Sequence, residues 1–489
     1  MKIPNEVKNI IQTLKKHGFQ AFIVGGCVRD LLRGVEPEDW DITTNAKPED
    51  IQKIFDRNFY SNNFFTVTIK TDSENEKLKE IEITTFRKEA KYTDKRHPDE
   101  IKFAKTLEED LERRDFTMNA IALELNGDSK NKEYRIIDLF NGENDIRKKI
   151  IRAVGDPKER FNEDALRMLR ALRLATTLGF KIEEKTGKAI KENAFLLNVI
   201  SKERIRDEFL KIIMSKSAAN GVELLRQFGL LKYIMPEVEE GYGVEQNKHH
   251  IYDCYTHSLL SLDYAAKKDF NQNVRIAALL HDVGKPRVKR GEGPDCTFYN
   301  HEIIGTKMVF DILKRLKFPK KDIDKVVKLV RYHLFYYNVG EVSESAVRRL
   351  VRNVGKENID ELLQLRQADR IGSGVPKAEP YKLRHLRYII EKVSQDPISV
   401  KMLKVNGNDV IEILKIKPGP IVGDVLDILL GYVLNNPEKN KRDILIEEIK
   451  KLKELSKEEI ENLAKKAKKE RELIETKRDE MVKKKYWVV

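Results

Sequence analysis

The stretch AFIVGGCVRDLLRGVEPEDWDITT, residues 21–44, decides how the chain begins to fold. Its first four residues are apolar and read as a short strand closed by Gly25 and Gly26. A helix follows. Glycines at such a junction let backbone N–H groups come close to a phosphate, and a helix start favours negative charge. Arg29 follows at 29, placed to add a charge-assisted contact to such an anion. Taken alone, the glycine pair is also compatible with a plain turn.

Asp39 and Asp41 come next, two residues apart. If EDWDIT is a strand, both carboxylates share one face. Two like charges there need a cation between them, and Mg²⁺ takes hard oxygen ligands of this kind. Two such ions, about 4 Å apart, activate an attacking hydroxyl and steady a leaving group. Glu82, in KEIEITTF, is the candidate third carboxylate from a second strand. An acidic turn and a solvated strand face are the alternatives for these residues on their own.

Outward from this point the first 140 residues alternate in strand fashion: FFTVTIKT, KLKEIEITTF, IALELNG and YRIIDLF. From residue 141 the spacing becomes helical. ALRMLRALRLATTLGF, VELLRQFGLLKYI, VRIAALLH, DIDKVVKLVRYHL and IDELLQLRQADR all carry apolar residues three and four apart. Pro236 with GYG at 241–243, and GSGVPKAEP at 372–380, are the breaks. The fold class is therefore α+β, with a mixed α/β head over 1–140 and helical regions over 141–240, 241–375 and 376–489. Around Pro418–Pro420 and Gly423 the chain reads as helix caps. The Lys/Glu-rich last forty-odd residues read as a solvated helix.

Length and composition bound the function. At roughly 150 residues per domain, 489 residues make about three domains. Lys and Arg number 93 against 80 Asp and Glu, a net charge of +13 that favours an anionic partner such as nucleic acid or nucleotides. No run of about 18 apolar residues occurs, so no transmembrane helix is expected. MKIPNEVKNIIQTLKKHGF lacks the apolar stretch of a signal peptide. Cys27, Cys254 and Cys296 form neither a disulfide framework nor a CxxC pair. The expectation is a reduced, cytoplasmic protein.

GGCVRDLLRG with EDWDIT, then ITTFR, then RRDFTMNAIAL, then RFNEDALRMLRALRLA resembles the class II tRNA nucleotidyltransferases and bacterial poly(A) polymerases, in the family's order. The resemblance implies that Asp39 and Asp41 hold metal, with Glu82 the proposed third carboxylate, and that Gly25, Gly26 and Arg29 meet the triphosphate. Arg114 and Asp115 fall on the ribose-recognising segment, and Asp164 and Arg167 on the pair that reads the incoming base. Arg170 and Arg173 continue that helix. Arg offers a planar fork of donors and Asp offers acceptors, so the pair can complement a base edge. Asp164, Arg167 and Arg170 are expected near one helix face, where a salt-bridged surface helix is the plain alternative. Arg204 and Glu208, in ISKERIRDEFLKII, are read as structural.

RKEAKYTDKRHPDEIKF, residues 87–103, resembles the flexible loop of CCA-adding enzymes, with Tyr92, Asp94, Arg96 and Pro98 in order; an ordinary hairpin tip suits the composition equally. The loop resemblance implies full CCA addition, or A addition, ahead of poly(A) synthesis. A separate set, His257, His281, Asp282, His301, His333 and Asp369, resembles the HD phosphohydrolase domain. That implies one divalent ion on His257, His281, Asp282 and Asp369, either a transition metal or Mg²⁺, and a second position at His301 and His333. Lys285 is a candidate phosphate contact, and His249 and His250 lie outside the set. VNGNDVIEILKIKPGPIVGDVLDILLGYVLNNPEKN resembles the segment that docks the tRNA elbow.

The expected activity is Mg²⁺-dependent addition of CCA to tRNA from CTP and ATP, with an HD phosphohydrolase side activity. The alternatives are an A-adding enzyme, a poly(A) polymerase, or an HD phosphohydrolase whose head only binds RNA.

Overall fold

The computed structural model describes residues 2–61, 65–90, 100–125, 134–247, 251–394 and 400–488. The chain forms two compact units, Met1–Leu334 with Gln364–Pro376, and Phe335–Leu363 with Lys377–Val489.

The first unit opens with α1 (Asn5–Lys16), whose Val7, Ile10, Ile11 and Leu14 are buried at helical spacing. Glu6 in its first turn and Lys15 and Lys16 in its last oppose the helix dipole favourably. Each such apolar side chain contributes on the order of 2 kcal/mol before chain entropy is subtracted. The strands of the head are β1 (Ala21–Val24), β2 (Asp41–Thr44), β3 (Asn58–Ser61), β4 (Thr66–Lys70), β5 (Glu80–Thr85), β6 (Arg87–Ala90), β7 (Glu100–Phe103), β8 (Ile121–Leu125) and β9 (Tyr134–Asp138). Seven of them make one sheet in the order β3-β4-β5-β2-β1-β8-β9, and β6 pairs with β7 separately. β2 runs parallel to β5; the other neighbours in the large sheet are antiparallel. All four residues of β1 are buried, as befits a central strand.

α2 (Gly26–Leu32) links β1 to β2, and α3 (Pro48–Ile54) and α4 (Leu107–Glu112) complete the head. α5 (Gly142–Lys148), α6 (Pro157–Glu163), α7 (Leu166–Leu178), α8 (Glu184–Asn193) and α9 (Lys202–Ile213) follow. The α7 side chains Met168, Leu169, Ala171 and Leu172 are fully buried. Further helices, Cys254–Lys267, Gln272–Leu280, His301–Arg315 and Lys320–Tyr332, end this part of the chain. VELLRQFGLLKYI splits into Ala218–Gln227 and Leu231–Ile234, with Gly229 left-handed between them.

The second unit is helical. Val410, Val425, Leu429, Leu430, Leu445 and Ile449 make its core. Gly419 and Pro420 start the helix Pro420–Asn435 as expected, but Gly423 lies inside that helix instead of capping it. The helix Lys457–Lys485 is not solvated all round. It buries Ile460, Ala464 and Ala467, and Lys468 and Arg471 pair with Asp427 at 3.2 Å each. Among the described residues no helix is long and apolar enough to cross a membrane.

Candidate active site and metal centre

β1 ends at Val24, and Gly25 turns the chain with φ +83°. A Cβ on Gly25 would lie 3.1 Å from Asp41 Oδ2 and 3.2 Å from Arg114 Nη1. Backbone, carboxylate and guanidinium therefore converge at one point. Arg29 donates from Nε and Nη2 to the two oxygens of Asp30 at 3.0 and 2.7 Å, and from Nη1 to Asn119 Oδ1 at 3.0 Å. A guanidinium has five N–H donors, so two remain beyond these three bonds.

The strand predicted over EDWDIT starts late. Asp41 is its first residue, and Asp39 lies in the bend before it. The ladder explains this: Asp41 pairs with Val24, and beyond Val24 the glycine turn removes the neighbour that Asp39 would need. Asp41 stands directly opposite Glu82 in the parallel β2/β5 register. Burial pushes the Asp41 carboxyl up to about 7, aided by the charges of Asp39 and Glu82 and opposed by Arg114. Glu82, on the exposed face of β5, is pushed up as well, first by partial desolvation and then by Asp39 and Glu80. The three carboxylates carry more negative charge than Arg114 offsets. This all-oxygen donor set fits a hard divalent cation.

Behind them Asp110 is fully buried. It accepts from Arg113 Nε and Nη2 at 3.0 and 2.8 Å and from Arg114 Nη2 at 3.2 Å. Burial works against its charge, yet the two guanidinium groups hold it at about 2. Asp115 is engaged on every side. Its Oδ2 accepts from Arg170 Nε at 2.8 Å and pairs with Nη2 at 2.7 Å; its Oδ1 accepts from Phe116 N at 2.9 Å and Asn119 Nδ2 at 3.1 Å. Burial again opposes ionisation, and Arg170 with Asn119 keeps the group at about 2.

Asp164 departs from the sequence reading. It sits in extended conformation, φ −138° and ψ 104°, between α6 and α7, not on the face carrying Arg167 and Arg170. Its Oδ1 accepts from Leu166 N at 3.0 Å in the manner of a helix cap, which is why the helix breaks there. Its Oδ2 accepts from Arg204 Nη2 at 2.7 Å. Arg167 is buried, donates to the carbonyls of Arg160 and Arg113 at 3.3 and 3.1 Å, and pairs with Glu163. Arg173 pairs with buried Glu208 at 2.6 Å.

The second constellation is buried and lies at helix ends. His257 Nε2 is 2.9 Å from His281 Nε2, 3.1 Å from Asp282 Oδ2 and 3.4 Å from Asp369 Oδ1. His301 and His333 bring Nε2 to 3.2 and 3.6 Å from the other Asp282 oxygen. The Nδ1 atoms of His281, His301 and His333 meet the carbonyls of Ala278, Phe298 and Val330 at 2.9, 2.8 and 2.7 Å. Nδ1–H donation to a carbonyl turns each Nε2 towards the cluster, the arrangement found around metal-ligating histidines. Nε2 of His301 and of His333 are buried without a hydrogen-bond partner. Ligand atoms of His257, His281 and Asp282 gather within 4.8 Å of one another, and so do those of Asp282, His301 and His333. The set fits two cations that share Asp282. Lys285 is buried, with Nζ 2.6 Å from both Asp282 Oδ2 and Gln246 Oε1, so its ammonium braces the carboxylate. Tyr92, Asp94, Arg96, Pro98, His249 and His250 lie outside the described residues.

The poly A polymerase head domain matches residues 21–152. An RNA and SrmB-binding site of polymerase A matches 179–241, and tRNA nucleotidyltransferase domain 2 matches 302–449. The CCA-adding enzyme of Lactococcus lactis subsp. lactis is 33% identical over 461 residues, covering 92% of this chain and 99% of that one. The chain belongs to the class II tRNA nucleotidyltransferases. The CCA-adding enzyme of Enterococcus faecalis is 32% identical over 463 residues, covering 92% and 97%. The crystal structure of the Bacillus stearothermophilus CCA-adding enzyme in complex with CTP shares 30% identity at a TM-score of 0.59, covering 92% and 97%.

Within this tRNA nucleotidyltransferase, sequence reasoning passed over Asp110, Asn119 and Gln246. Asn119 lies inside RRDFTMNA, and Asp110 precedes Arg113 and Arg114 by three and four residues, one helical turn. Those spacings were the available signal. Arg204, read as structural, touches Asp164 directly.

Proposed function

We propose that the protein completes tRNA 3′ ends, adding CMP, CMP and AMP from CTP and ATP without a nucleic-acid template and releasing pyrophosphate. The observation that carries this is the likeness to the Lactococcus lactis CCA-adding enzyme, which runs over 92% of this chain and 99% of that one. The convergence of Gly25, Asp41, Glu82 and Arg114 supports the same reading.

Asp39, Asp41 and Glu82 would hold divalent ions, with Mg²⁺ the expected metal. Bound there, such ions would offset the charge of the triphosphate and would lower the barrier to attack of the RNA 3′-hydroxyl on the α-phosphorus as pyrophosphate leaves. The Gly25–Gly26 backbone and Arg29 receive the triphosphate. Arg114 and Asp115 lie on the ribose side. In this reading Asp164 accepts from the amino group that cytosine and adenine both carry in place of Arg204, and Arg167 donates to the neighbouring ring nitrogen in place of one of its present carbonyl partners. Uracil and guanine present the opposite pattern, an acceptor beside an N–H, and are refused. Arg170 and Arg173 steady the same helix through Asp115 and Glu208. The proposed location is the cytoplasm, in keeping with the reduced compartment expected from the sparse cysteines.

The test is extension of a tRNA transcript lacking CCA by purified protein with Mg²⁺, CTP and ATP, beside Asp41→Ala. Addition by the wild type and none by the variant supports the assignment; equal activity in both refutes it.

The His257, His281, Asp282, His301, His333 and Asp369 cluster favours a second, independent activity. Two metal positions sharing one carboxylate suit hydrolysis of a phosphate ester, with an RNA 3′ end as substrate. Release of phosphate from 3′-phosphorylated RNA, lost in Asp282→Ala, is the corresponding test.

A further inference from the structure

Asn119 joins two parts of the nucleotide site that the sequence treats as separate motifs. Its Oδ1 accepts from Arg29 Nη1 at 3.0 Å, and its Nδ2 donates to Asp115 Oδ1 at 3.1 Å. The residue is 8% exposed. With one end on a cation and the other on an anion, only one amide orientation fits. The chain of contacts continues at both ends: Asp30 grips Arg29 through both oxygens, and Arg170 grips Asp115 through two nitrogens. A continuous polar line thus runs from α2, through Asn119, to α7.

The turn that carries Asn119 is braced. It is the single 3₁₀ turn Thr117–Asn119, and the Thr117 hydroxyl donates to buried Asp145 at 2.7 Å. A Cβ on Gly142 would lie 2.2 Å from the Thr117 carbonyl oxygen, so α5 packs directly on this turn. Asn119 is therefore held from behind while it holds Arg29 and Asp115 in front.

We infer that Asn119 is a positioning residue that fixes the spacing between the triphosphate-contacting Arg29 and the ribose-side Asp115–Arg170 pair. Asn119 itself need not touch the nucleotide. Asp115 already accepts three hydrogen bonds and is ion-paired with Arg170 Nη2, so its setting is determined by partners such as Asn119. Misplacing one side of the nucleotide relative to the other loses the pre-paid orientation that speeds transfer. The inference rests on the nucleotidyltransferase reading above.

The two ends can be separated. Asn119→Asp keeps an acceptor for Arg29 but sets a second carboxylate against Asp115, whereas Asn119→Ala removes both contacts. The experiment measures KM and kcat for CTP, and the preference for CTP over dCTP, on a tRNA transcript lacking CCA. Expected for Asn119→Ala are a KM for CTP raised about tenfold and a lowered kcat, in line with the loss of one orienting group. Expected for Asn119→Asp is a preference for CTP over dCTP reduced at least fivefold, with KM raised less than in Asn119→Ala. If Asn119→Ala does not fold, the near-isosteric Asn119→Asp alone decides. KM and sugar preference within twofold of wild type in the folded variants would overturn the inference and leave the tRNA reading intact. Absence of any extension by the wild type would overturn both.

Discussion

Asp41 and Glu82 stand opposite each other where β2 runs parallel to β5, with Asp39 close enough to raise the carboxyl groups of both. The fold therefore holds an accumulation of negative charge at one end of β2. Such an arrangement opposes folding unless a cation joins it, which is the signature of a site kept for binding. Replacing Asp41 by Asn should remove at least about a hundredfold of the nucleotide-addition rate, the scale of losing one electrostatic contact in a reaction centre. In metal-free buffer the same variant should melt no lower than wild type. A variant that melts lower and still adds nucleotides would refute this account of the carboxylates.

The Asp115–Arg170 pair makes the opposite case, a buried carboxylate satisfied by its partner. Arg170→Ala leaves that carboxylate without its main cation; the guanidinium is partly exposed, so the cost should be about 2 kcal/mol in urea unfolding. The pH dependence has a definite sign. Asp115 is held at about 2 in the fold against about 4 unfolded, so its contribution is present above pH 4 and is lost as pH falls from about 4 through about 2. Wild-type stability should drop by about 2 kcal/mol more than that of Arg170→Ala over this window. Parallel acid limbs would contradict the pairing.

Gly25 tests the approach of backbone to ligand. At φ +83° and ψ −140° an alanine is strained by about 1–3 kcal/mol, and its Cβ would crowd Asp41 Oδ2 and Arg114 Nη1. Gly25→Ala should fold, melt somewhat lower, and lose at least tenfold in kcat/KM for CTP. Unchanged kinetics would mean that nothing binds against this turn.

The histidine cluster predicts metal stoichiometry. After loading with Mn²⁺ and dialysis, elemental analysis should find about two more retained ions per wild-type chain than in Asp282→Ala, and at least one fewer in His333→Ala than in wild type, because both ligand groups share Asp282. Nucleotide addition by Asp282→Ala should equal that of wild type. Full retention in Asp282→Ala would rule out the shared-carboxylate site.

Much of this was readable from the sequence for physical reasons that differ by element. The five strand candidates FQAFIVGG, FFTVTIKT, KLKEIEITTF, IALELNG and YRIIDLF contain β1, β4, β5, β8 and β9, because each carries an apolar run or alternates against a buried face. β3 (NFYS), β6 (RKEA) and β7 (EIKF) were passed over, since short or charged segments show no clear period. Apolar spacing drew one helix through EDALRMLR and overlooked that Asp164 breaks it by bonding to Leu166 N. Hydrogen-bond partners were the least legible layer. Nothing in a linear pattern announces that Asn119 reaches Arg29, or that Arg204 holds Asp164, because these pairs are 90 and 40 residues apart and meet only in the fold.

The most direct test of the central claim uses three tRNA transcripts, ending at the discriminator base, at C and at CC, each incubated with protein, Mg²⁺, CTP and ATP, and in parallel with UTP or GTP, and sized to one nucleotide. The account predicts growth that stops at CCA on all three, with neither UTP nor GTP incorporated. Long A tails, a single A on the CC transcript alone, or no growth on any of them would contradict it.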